Sequence, residues 1–305
     1  MAKSVFMLGK GGTGKTTLAT LLGIHMAYSG FKVLLVSLDP AHNLSDILDA
    51  NIKSKPTSVM NGLRVMEVDL DGAVKKYLKD TAQAVQRNYQ YLTALNLEKY
   101  FDLYQHTPGL DAHGLLSVYQ NLLRDHRDLD FFIFDMPPTA LSLQFFRLPG
   151  LSVEWLHRLL ELRNEILEKQ KIITRIKIGK YTIEQDKPLE QIRNRLQEYR
   201  DLIKNLQNSR LNAYSLICNP DPLSFNEAAD IANNFTAWGM PITNLIVNKS
   251  EGKPGADEVR PQEFRDLAAI YIKHAGRPIT GMAGLNQFLS ENKGGIAELF
   301  AGINS

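Results

Sequence analysis

The octet Gly9-Lys10-Gly11-Gly12-Thr13-Gly14-Lys15-Thr16 follows a short apolar run at residues 5–8 and leads into helical spacing at residues 16–28. It fits the G-x-G-x-x-G pattern of dinucleotide-binding proteins, with Asp39 as a ribose-binding acid, and also the phosphate-loop pattern G-x-x-x-x-G-K-[ST]. Lys15-Thr16 favours the phosphate loop, because a nucleoside triphosphate with magnesium needs a cation and a hydroxyl there. A glycine-rich turn without a ligand is the third alternative. The predicted nucleotide-binding residues are Gly11, Gly12, Thr13, Gly14, Lys15 and Thr16, with Thr16 also a magnesium ligand.

Apolar runs that alternate with helical patterns predict the fold. A strand buried on both faces of a parallel sheet is apolar throughout, and six short runs have this character. They cover residues 5–8, 32–37, 63–68, 131–134, 213–218 and 245–247. The order of strands and helices indicates an α/β protein with a doubly wound, mostly parallel sheet.

Two long stretches with helical spacing and no strand interrupt this pattern. We therefore expect a nucleotide-binding α/β domain and a helical subdomain inserted into it. The α/β domain takes residues 1–70, 129–149 and 210–305, and the insertions are residues 71–128 and 150–209.

The second insertion contains a narrow apolar seam. It consists of Leu189, Ile192, Leu196, Tyr199, Ile203 and Leu206, and the predicted partner stripe consists of Trp155, Leu159, Leu162 and Ile166. Such a seam either closes an antiparallel helical hairpin on itself or forms an exposed surface for a client or subunit. Alternation at residues 175–183 predicts a small β-hairpin with a solvated edge.

Composition limits the classes of partner. The net charge is only +2, so neither nucleic acid nor an anionic membrane is an expected partner. The single cysteine, Cys218, excludes an internal disulfide and a C-x-x-C zinc site, and its apolar run predicts a buried side chain. Without a signal-like or membrane-spanning apolar segment, we expect a cytoplasmic protein with no stable membrane anchor.

Two aspartates follow predicted strands at the edge where the phosphate loop would lie. Asp39 follows the second strand, where a carboxylate can orient water towards the γ-phosphate and contribute to a magnesium site. A turn or helix-cap role is the alternative for Asp39. Asp135 ends the apolar run 131–134 and is the expected magnesium ligand, acting through water.

Residues 10–17, K-G-G-T-G-K-T-T, resemble the deviant phosphate loop shared by nitrogenase iron protein, partition ATPases and arsenite-pump ATPases. Residues 37–46, S-L-D-P-A-H-N-L-S-D, resemble the switch I segment of the branch containing the arsenite-pump and tail-anchored-protein targeting ATPases (ArsA-like), departing only at Leu38. The resemblance implies a magnesium-dependent ATP hydrolase that works as a homodimer. It assigns Lys10 a catalytic role at the partner's nucleotide, alongside Lys15 and Asp39; a solvent-facing loop cation is the alternative for Lys10.

The resemblance also implies nucleotide contacts outside the octet. Thr17 and Asn43 lie within its motifs, and Asn248 matches an asparagine that hydrogen-bonds adenine. A carboxamide offers the donor and the acceptor that a purine edge needs, although an ordinary turn after a strand is the alternative for Asn248.

Three departures from that branch bear on function. Residues 140–144, A-L-S-L-Q, replace the switch II sequence G-H-T-L-R, and the zinc-binding C-x-x-C is missing. No methionine lies in either insertion, although a promiscuous client groove favours methionine. We expect a nucleotide-driven carrier or chaperone for a hydrophobic protein segment or another ligand; a spatial-organisation ATPase that binds membrane or DNA is the alternative.

Overall fold

The computed structural model describes residues 2–41, 43–88, 109–178, 186–251, 264 and 267–304, without the side chains of residues 43, 84–88 and 170–178. The strands are β1 (Lys3–Gly9), β2 (Val33–Ser37), β3 (Thr57–Met60), β4 (Leu63–Glu67), β5 (Phe131–Asp135), β6 (Asn212–Cys218), β7 (Asn244–Ser250) and β8 (Ala269–Lys273). The helices are α1 (Lys15–Tyr28), α2 (Asn43–Leu48), α3 (Leu70–Asn88), α4 (Leu110–Asp125), α5 (Thr139–Ile178), α6 (Lys187–Leu206), α7 (Pro222–Ala237), α8 (Gly281–Glu291) and α9 (Lys293–Asn304).

The eight strands form one sheet in the order β3-β4-β2-β5-β1-β6-β7-β8. Every neighbouring pair is parallel except β3 and β4. The predicted α/β fold with a mostly parallel sheet is therefore confirmed, and all six apolar runs are strands. Sequence reasoning missed β3 and β8, because β3 is short and partly exposed and β8 alternates in burial instead of forming a continuous apolar run.

Helices cover both faces of the sheet. Successive strand residues point to opposite faces, so Phe6 and Leu8 of β1 join one core while Val5 and Met7 join the other. The first core packs β1 and its neighbours against α4, the start of α5, the end of α6, and α7. The second packs them against α1, α2, α8 and α9. Cys218 is fully buried in the first core, as predicted.

α5 and α6 form the outer pair of helices. α5 is 40 residues long, includes Pro149, and runs without interruption through the position where the sequence suggested a boundary between α/β domain and insertion. α6 packs along α5 in the opposite direction, because Arg163 contacts Asp186 while His157, earlier in α5, contacts Arg200, later in α6. α3 and α4 form a second packed pair.

The prediction of a β-hairpin at residues 175–183 is wrong for residues 175–178. Residues 175–178 continue α5, because the helical hydrogen-bond pattern already established in the preceding turns extends through them. Residues 179–183 lie outside the described part of the chain.

Candidate nucleotide-binding site

The predicted site residues converge at the carboxyl edge of the sheet. β1 leads into the phosphate loop, β5 ends in Asp135, and Asp39 lies two residues beyond the end of β2. These strands are neighbours in the order β2-β5-β1, so groups that are distant in sequence come together. Ligands bind at this edge in open α/β sheets, near the point where strand order reverses.

Three hydrogen-bond donors of the phosphate loop contact one backbone oxygen, that of Lys10. The carbonyl of Lys10 accepts from the Lys15 ammonium at 3.1 Å, from the Thr13 hydroxyl at 2.8 Å and from the Thr13 N–H at 3.4 Å. These are donors of the kind that a phosphate oxygen recruits. The loop is therefore already folded around an acceptor position.

The first turn of α1 adds further donors. Its N-cap is Gly14, which has φ of 91° and no side chain with which to cap the first N–H groups. Uncapped N–H groups at a helix N-terminus, together with the helix dipole, favour an anion. Gly11 and Gly12 are exposed, and Thr17 is half-buried in the first turn of α1.

Lys15 is buried and faces three carboxylates. Burial lowers the pKa of the Lys15 ammonium, and the negative charges of Asp135, Asp39 and Glu227 oppose that shift. A buried ammonium surrounded by acids stays charged only with such partners. The three carboxylates thus stabilise the charged form of Lys15, the residue that the phosphate-loop pattern predicts to contact the β- and γ-phosphate oxygens.

Thr16 and Asp135 form the candidate magnesium site. The Thr16 hydroxyl donates to Asp135 Oδ2 at 2.7 Å, whereas Asp135 Oδ1 is buried and has no hydrogen-bond partner of good geometry among the described residues. Burial raises the pKa of Asp135 to about 7, against the opposing effects of the Thr16 hydroxyl and the Lys15 charge. An orphaned carboxylate oxygen beside a hydroxyl fits Mg²⁺, which prefers oxygen ligands and keeps several waters.

Asp39 lies beside this pair and is nearly buried. Its Oδ1 accepts the Ala41 N–H at 3.0 Å, so it also has the turn role that sequence reasoning left open. A carboxylate has two oxygens, and one turn contact leaves the other to orient water. Asp39 as a catalytic residue and magnesium ligand stays a prediction.

Switch I continues into α2, which Glu67 anchors. Glu67, at the end of β4, accepts the Ser45 N–H at 2.9 Å and the Ser45 hydroxyl at 2.8 Å. Asn43 begins α2, but its side chain lies outside the description, as does His42, so a nucleotide contact by Asn43 stays a prediction. Sequence reasoning missed Glu67, whose only signal was a carboxylate at the end of an apolar strand.

Asn248 contacts the phosphate loop from β7. Its side-chain nitrogen donates to the Thr13 carbonyl at 2.7 Å, and the side chain is only 6% exposed. A Cβ at Gly14 would lie against this carboxamide, and the Gly14 φ of 91° also favours glycine. The carboxamide oxygen remains for a base, and the adenine contact stays a prediction.

Lys10 is paired within its own chain. Its ammonium lies 3.0 Å from Glu227 Oε2 on α7, and Glu227 Oε1 accepts the Thr139 hydroxyl at 3.0 Å. One carboxylate thus joins the phosphate loop to the first residue of α5. The sequence offers no signal for this contact, because Glu227 is distant in sequence from both Lys10 and Thr139.

The sequence profile described as "Anion-transporting ATPase" matches residues 2–274. The chain belongs to this family. As a member of the anion-transporting ATPase family it is an ATP hydrolase with the α/β phosphate-loop fold described above. The resemblance read from residues 10–17 and 37–46 is confirmed.

Relatives of the chain cover most of its length. The "Putative arsenical pump-driving ATPase 2" of Aquifex aeolicus is 23% identical over 298 residues, 93% of this chain and 96% of that protein. The "ATPase ASNA1 homolog 1" of Paramecium tetraurelia is 28% identical over 255 residues, 81% and 74% of the two chains. The "ATPase GET3" of Chaetomium globosum is 26% identical over 280 residues, 88% and 79% of the two chains.

The α5–α6 pair of this ATPase presents an apolar face at some distance from the phosphate loop. Trp155 is 65% exposed and Leu162 is 52% exposed, whereas Leu156 is buried between the helices. α5 and α6 pack antiparallel, as the predicted hairpin requires, while Trp155 and Leu162 of the partner stripe remain exposed; a client or subunit surface stays a prediction. A groove of about 320 Å³ is lined by Leu156, Leu159, Leu162, Arg163, Ile166, Pro188, Gln191, Ile192 and Arg195. None of the described helices is long and apolar enough to span a membrane.

Proposed function

We propose that this ATPase hydrolyses ATP with Mg²⁺ in a nucleotide-dependent homodimer and uses the change of state to carry a hydrophobic protein segment on the α5–α6 face. One observation carries the proposal. α5 begins at Thr139, in contact with Glu227 beside the phosphate loop, and continues to the exposed Trp155. A helix rises ~1.5 Å per residue, so about 24 Å of one continuous helix joins the two places.

Binding of the triphosphate uses the donors that now meet on the Lys10 carbonyl. Lys15 and the N–H groups of the loop and of α1 surround the β-phosphate, and Lys15 extends to the γ-phosphate. Because these donors are positioned before ATP arrives, little reorganisation is required when negative charge develops. Asp39 accepts a hydrogen bond from the attacking water and aligns it with the γ-phosphorus.

Mg²⁺ fits at Thr16 and Asp135. When bound, the ion neutralises charge that develops on the β- and γ-phosphate oxygens. Thr16 contributes its hydroxyl oxygen, and Asp135 contributes a carboxylate that burial and the orphaned Oδ1 leave ready for a cation or its water. Asp39 lies close enough to Asp135 for its negative charge to raise the pKa of Asp135, which makes Asp39 the second carboxylate that we assign to this cation.

Dimerisation gives Lys10 its second partner. The Lys10–Glu227 pair is partly exposed, so exchange of Glu227 for a phosphate costs little. In the homodimer, Lys10 leaves Glu227 and contacts the nucleotide of the other subunit. Because Glu227 also accepts the hydrogen bond from Thr139, loss of the Lys10–Glu227 pair changes the contact at the start of α5. The nucleotide state is thereby linked to α5.

Sedimentation velocity tests this step. Wild type should shift towards dimer with a slowly hydrolysed ATP analogue and Mg²⁺, and Lys10→Ala should shift much less. Glu227→Gln should dimerise at lower analogue concentration than wild type, because Lys10 has lost its counter-ion in the same chain. Asp230→Asn on the same helix is the charge-matched control. A wild type that remains monomeric at concentrations that support full turnover would contradict the dimer.

The occupant of the α5–α6 face is an apolar segment of a client protein. Monomeric proteins rarely leave aromatic and aliphatic side chains exposed together, and such a patch marks an interaction site. We infer that the protein works in the cytoplasm.

A labelled apolar helical peptide tests the carrier function. We expect it to bind wild type with affinities that differ between the ATP analogue and ADP, and to lose binding in Leu162→Asp. Asn164→Asp, which adds the same charge at an exposed position of α5 that does not line the groove, is the control. ATP-dependent sedimentation with vesicles or DNA instead of peptide binding would favour the spatial-organisation ATPase.

A further inference from the structure

The end of β7 departs from regular strand geometry next to the phosphate loop. β7 and β8 pair in register as far as Val247 and Tyr271, and the register then shifts before Ser250 and Lys273. Two steps along β8 correspond to three along β7, which is the one-residue excess of a β-bulge. Lys249, within the shifted stretch, has φ of 56° in the left-handed region.

The bulge lets two consecutive side chains reach the same loop. Neighbouring residues of a strand normally point to opposite faces of a sheet. Here the Asn248 side-chain nitrogen donates to the Thr13 carbonyl at 2.7 Å, and the Lys249 ammonium donates to the Gly12 carbonyl, also at 2.7 Å. A left-handed lysine is strained, and surrounding contacts must maintain it.

These contacts determine where the loop's N–H groups point. In a trans peptide the N–H is directed opposite to the C=O of the same unit. The Gly12 carbonyl shares its peptide with the Thr13 N–H, and the Thr13 carbonyl shares its peptide with the Gly14 N–H. With both carbonyls held towards β7, both N–H groups are directed to the interior of the loop. The contact of the Thr13 N–H with the Lys10 carbonyl agrees with this direction.

We propose that Lys249 is a positioning residue for the diphosphate of the nucleotide: its ammonium holds the Gly12 carbonyl outward so that the Thr13 N–H faces the phosphate. Asn248 does the same for the next peptide, which gives it a role beyond a base contact. The inference rests on the proposed nucleotide site and adds a residue to it. Lys249 touches the loop rather than the phosphate, so it acts by orienting donors.

Substitutions at Lys249 can separate the role of the ammonium from the backbone conformation of the bulge. Glycine adopts a left-handed φ without strain, so Lys249→Gly should fold at least as stably as wild type. It loses the hydrogen bond from the Lys249 ammonium to the Gly12 carbonyl. Lys249→Met retains most of the side-chain stem and loses only the charged donor. Lys249→Arg retains a donor that reaches the same carbonyl.

The experiment measures direct binding of a fluorescent ADP analogue, together with thermal unfolding of each variant. We expect Lys249→Met and Lys249→Gly to raise the ADP dissociation constant roughly tenfold, because a charge-assisted hydrogen bond that orients a phosphate donor is lost. Lys249→Arg should restore most of the affinity. Lys249→Gly should unfold at the wild-type temperature or above.

Lys273→Met is the matched control, because Lys273 is an exposed lysine at the end of the neighbouring strand β8. Wild-type affinity for ADP in both Lys249→Met and Lys249→Gly would overturn the proposal and leave Lys249 as a surface cation at a bulge. An equal loss in Lys273→Met would overturn it too, since net charge alone would then explain the effect. Failure of the wild type to bind ADP would instead reject the nucleotide site itself.

Discussion

The nucleotide site and the α5–α6 face depart from the usual distribution of side chains in opposite ways. At the nucleotide site, Lys15 and Asp135 are ionisable groups buried in the protein. On the α5–α6 face, Trp155 and Leu162 are large apolar groups exposed to solvent. Charged residues are rarely buried unless paired, and large apolar residues are rarely exposed together.

The two departures differ in where the compensating groups come from. Lys15 has the Lys10 carbonyl and three carboxylates within the same chain, so the site is stable before a ligand binds. The described residues of α5 and α6 leave Trp155 uncovered. A prepared polar site indicates chemistry, whereas an uncovered apolar face indicates a partner. We therefore propose different ligands for the two regions: a small charged ligand at the nucleotide site and a second macromolecule at the α5–α6 face.

The largest expected effect tests the polar region. Lys15→Ala should lower ATP turnover by roughly a thousandfold and weaken ATP binding, because it removes the cation that faces the β/γ oxygens. Steady-state hydrolysis and a direct binding assay measure both quantities. Lys204→Ala, an exposed lysine of α6, should have wild-type activity. Normal turnover in Lys15→Ala would mean that the polar region is not the site of ATP hydrolysis, and the functional contrast between the two regions would fail.

The second effect separates chemistry from binding at the nucleotide site. Asp39→Asn should retain ATP binding and slow hydrolysis about 10²–10⁴-fold, the usual contribution of a group that handles the water proton. The asparagine oxygen keeps the hydrogen bond from the Ala41 N–H. Lost binding with normal turnover per bound ATP would instead identify Asp39 as a structural turn residue.

The third prediction compares neighbouring residues of α5. Leu156→Ala should lower the free energy of unfolding by about 2–3 kcal/mol, because it leaves a cavity between α5 and α6. Trp155→Ala should change it by less than about 0.5 kcal/mol, because the ring is mostly exposed. Chemical denaturation of both variants makes the measurement. Equal losses would mean that Trp155 is covered in the folded protein and that the apolar face is closed.

The smallest effect concerns the attachment of α6 to α5. Asp186 caps α6 by accepting the Leu189 N–H at 2.8 Å, and it pairs with Arg163 at 2.8 Å. Partial burial alone would raise the pKa of Asp186, but the Arg163 and Leu189 hydrogen bonds lower it below its ordinary value. Asp186→Ala should therefore lower the free energy of unfolding by about 1 kcal/mol at neutral pH, the usual contribution of an N-cap.

The pH dependence of this loss has a definite sign. A pKa that is lower in the folded state gives stability that is full above the unfolded value, about 3.9, and lost as pH falls through the folded value. The wild-type advantage over Asp186→Ala should thus shrink below about pH 4. Asp186→Asn, which keeps a capping oxygen, should lose only the charge-dependent part. An advantage that does not change with pH would show that the cap acts without the charge.

The two regions also differed in how far sequence patterns predicted them. The phosphate loop, Asp135 and the six buried strands follow from local signals: glycines before a lysine and hydroxyl, and apolar runs that end in a carboxylate. The apolar seam predicted that α5 and α6 would pack, but not that Trp155 would remain exposed. Periodicity identifies an apolar stripe, whereas the width covered by a partner helix depends on the crossing of two helices that are separate in sequence.

The sequence by itself determined the class of fold and the phosphate-binding loop, because both depend on neighbouring residues. A glycine that permits a left-handed backbone and a run of apolar residues act wherever the chain folds around them. Only the tertiary structure decided which distant groups complete the site. Asn248 reaches Thr13 across 235 positions, and Lys249 reaches Gly12 across 237, through a bulge at the end of β7. Glu227 meets Lys10 and Thr139 because α7, α5 and the loop after β1 lie together on one edge of the sheet. Contacts of this kind depend on strand order and helix placement, which no local pattern contains.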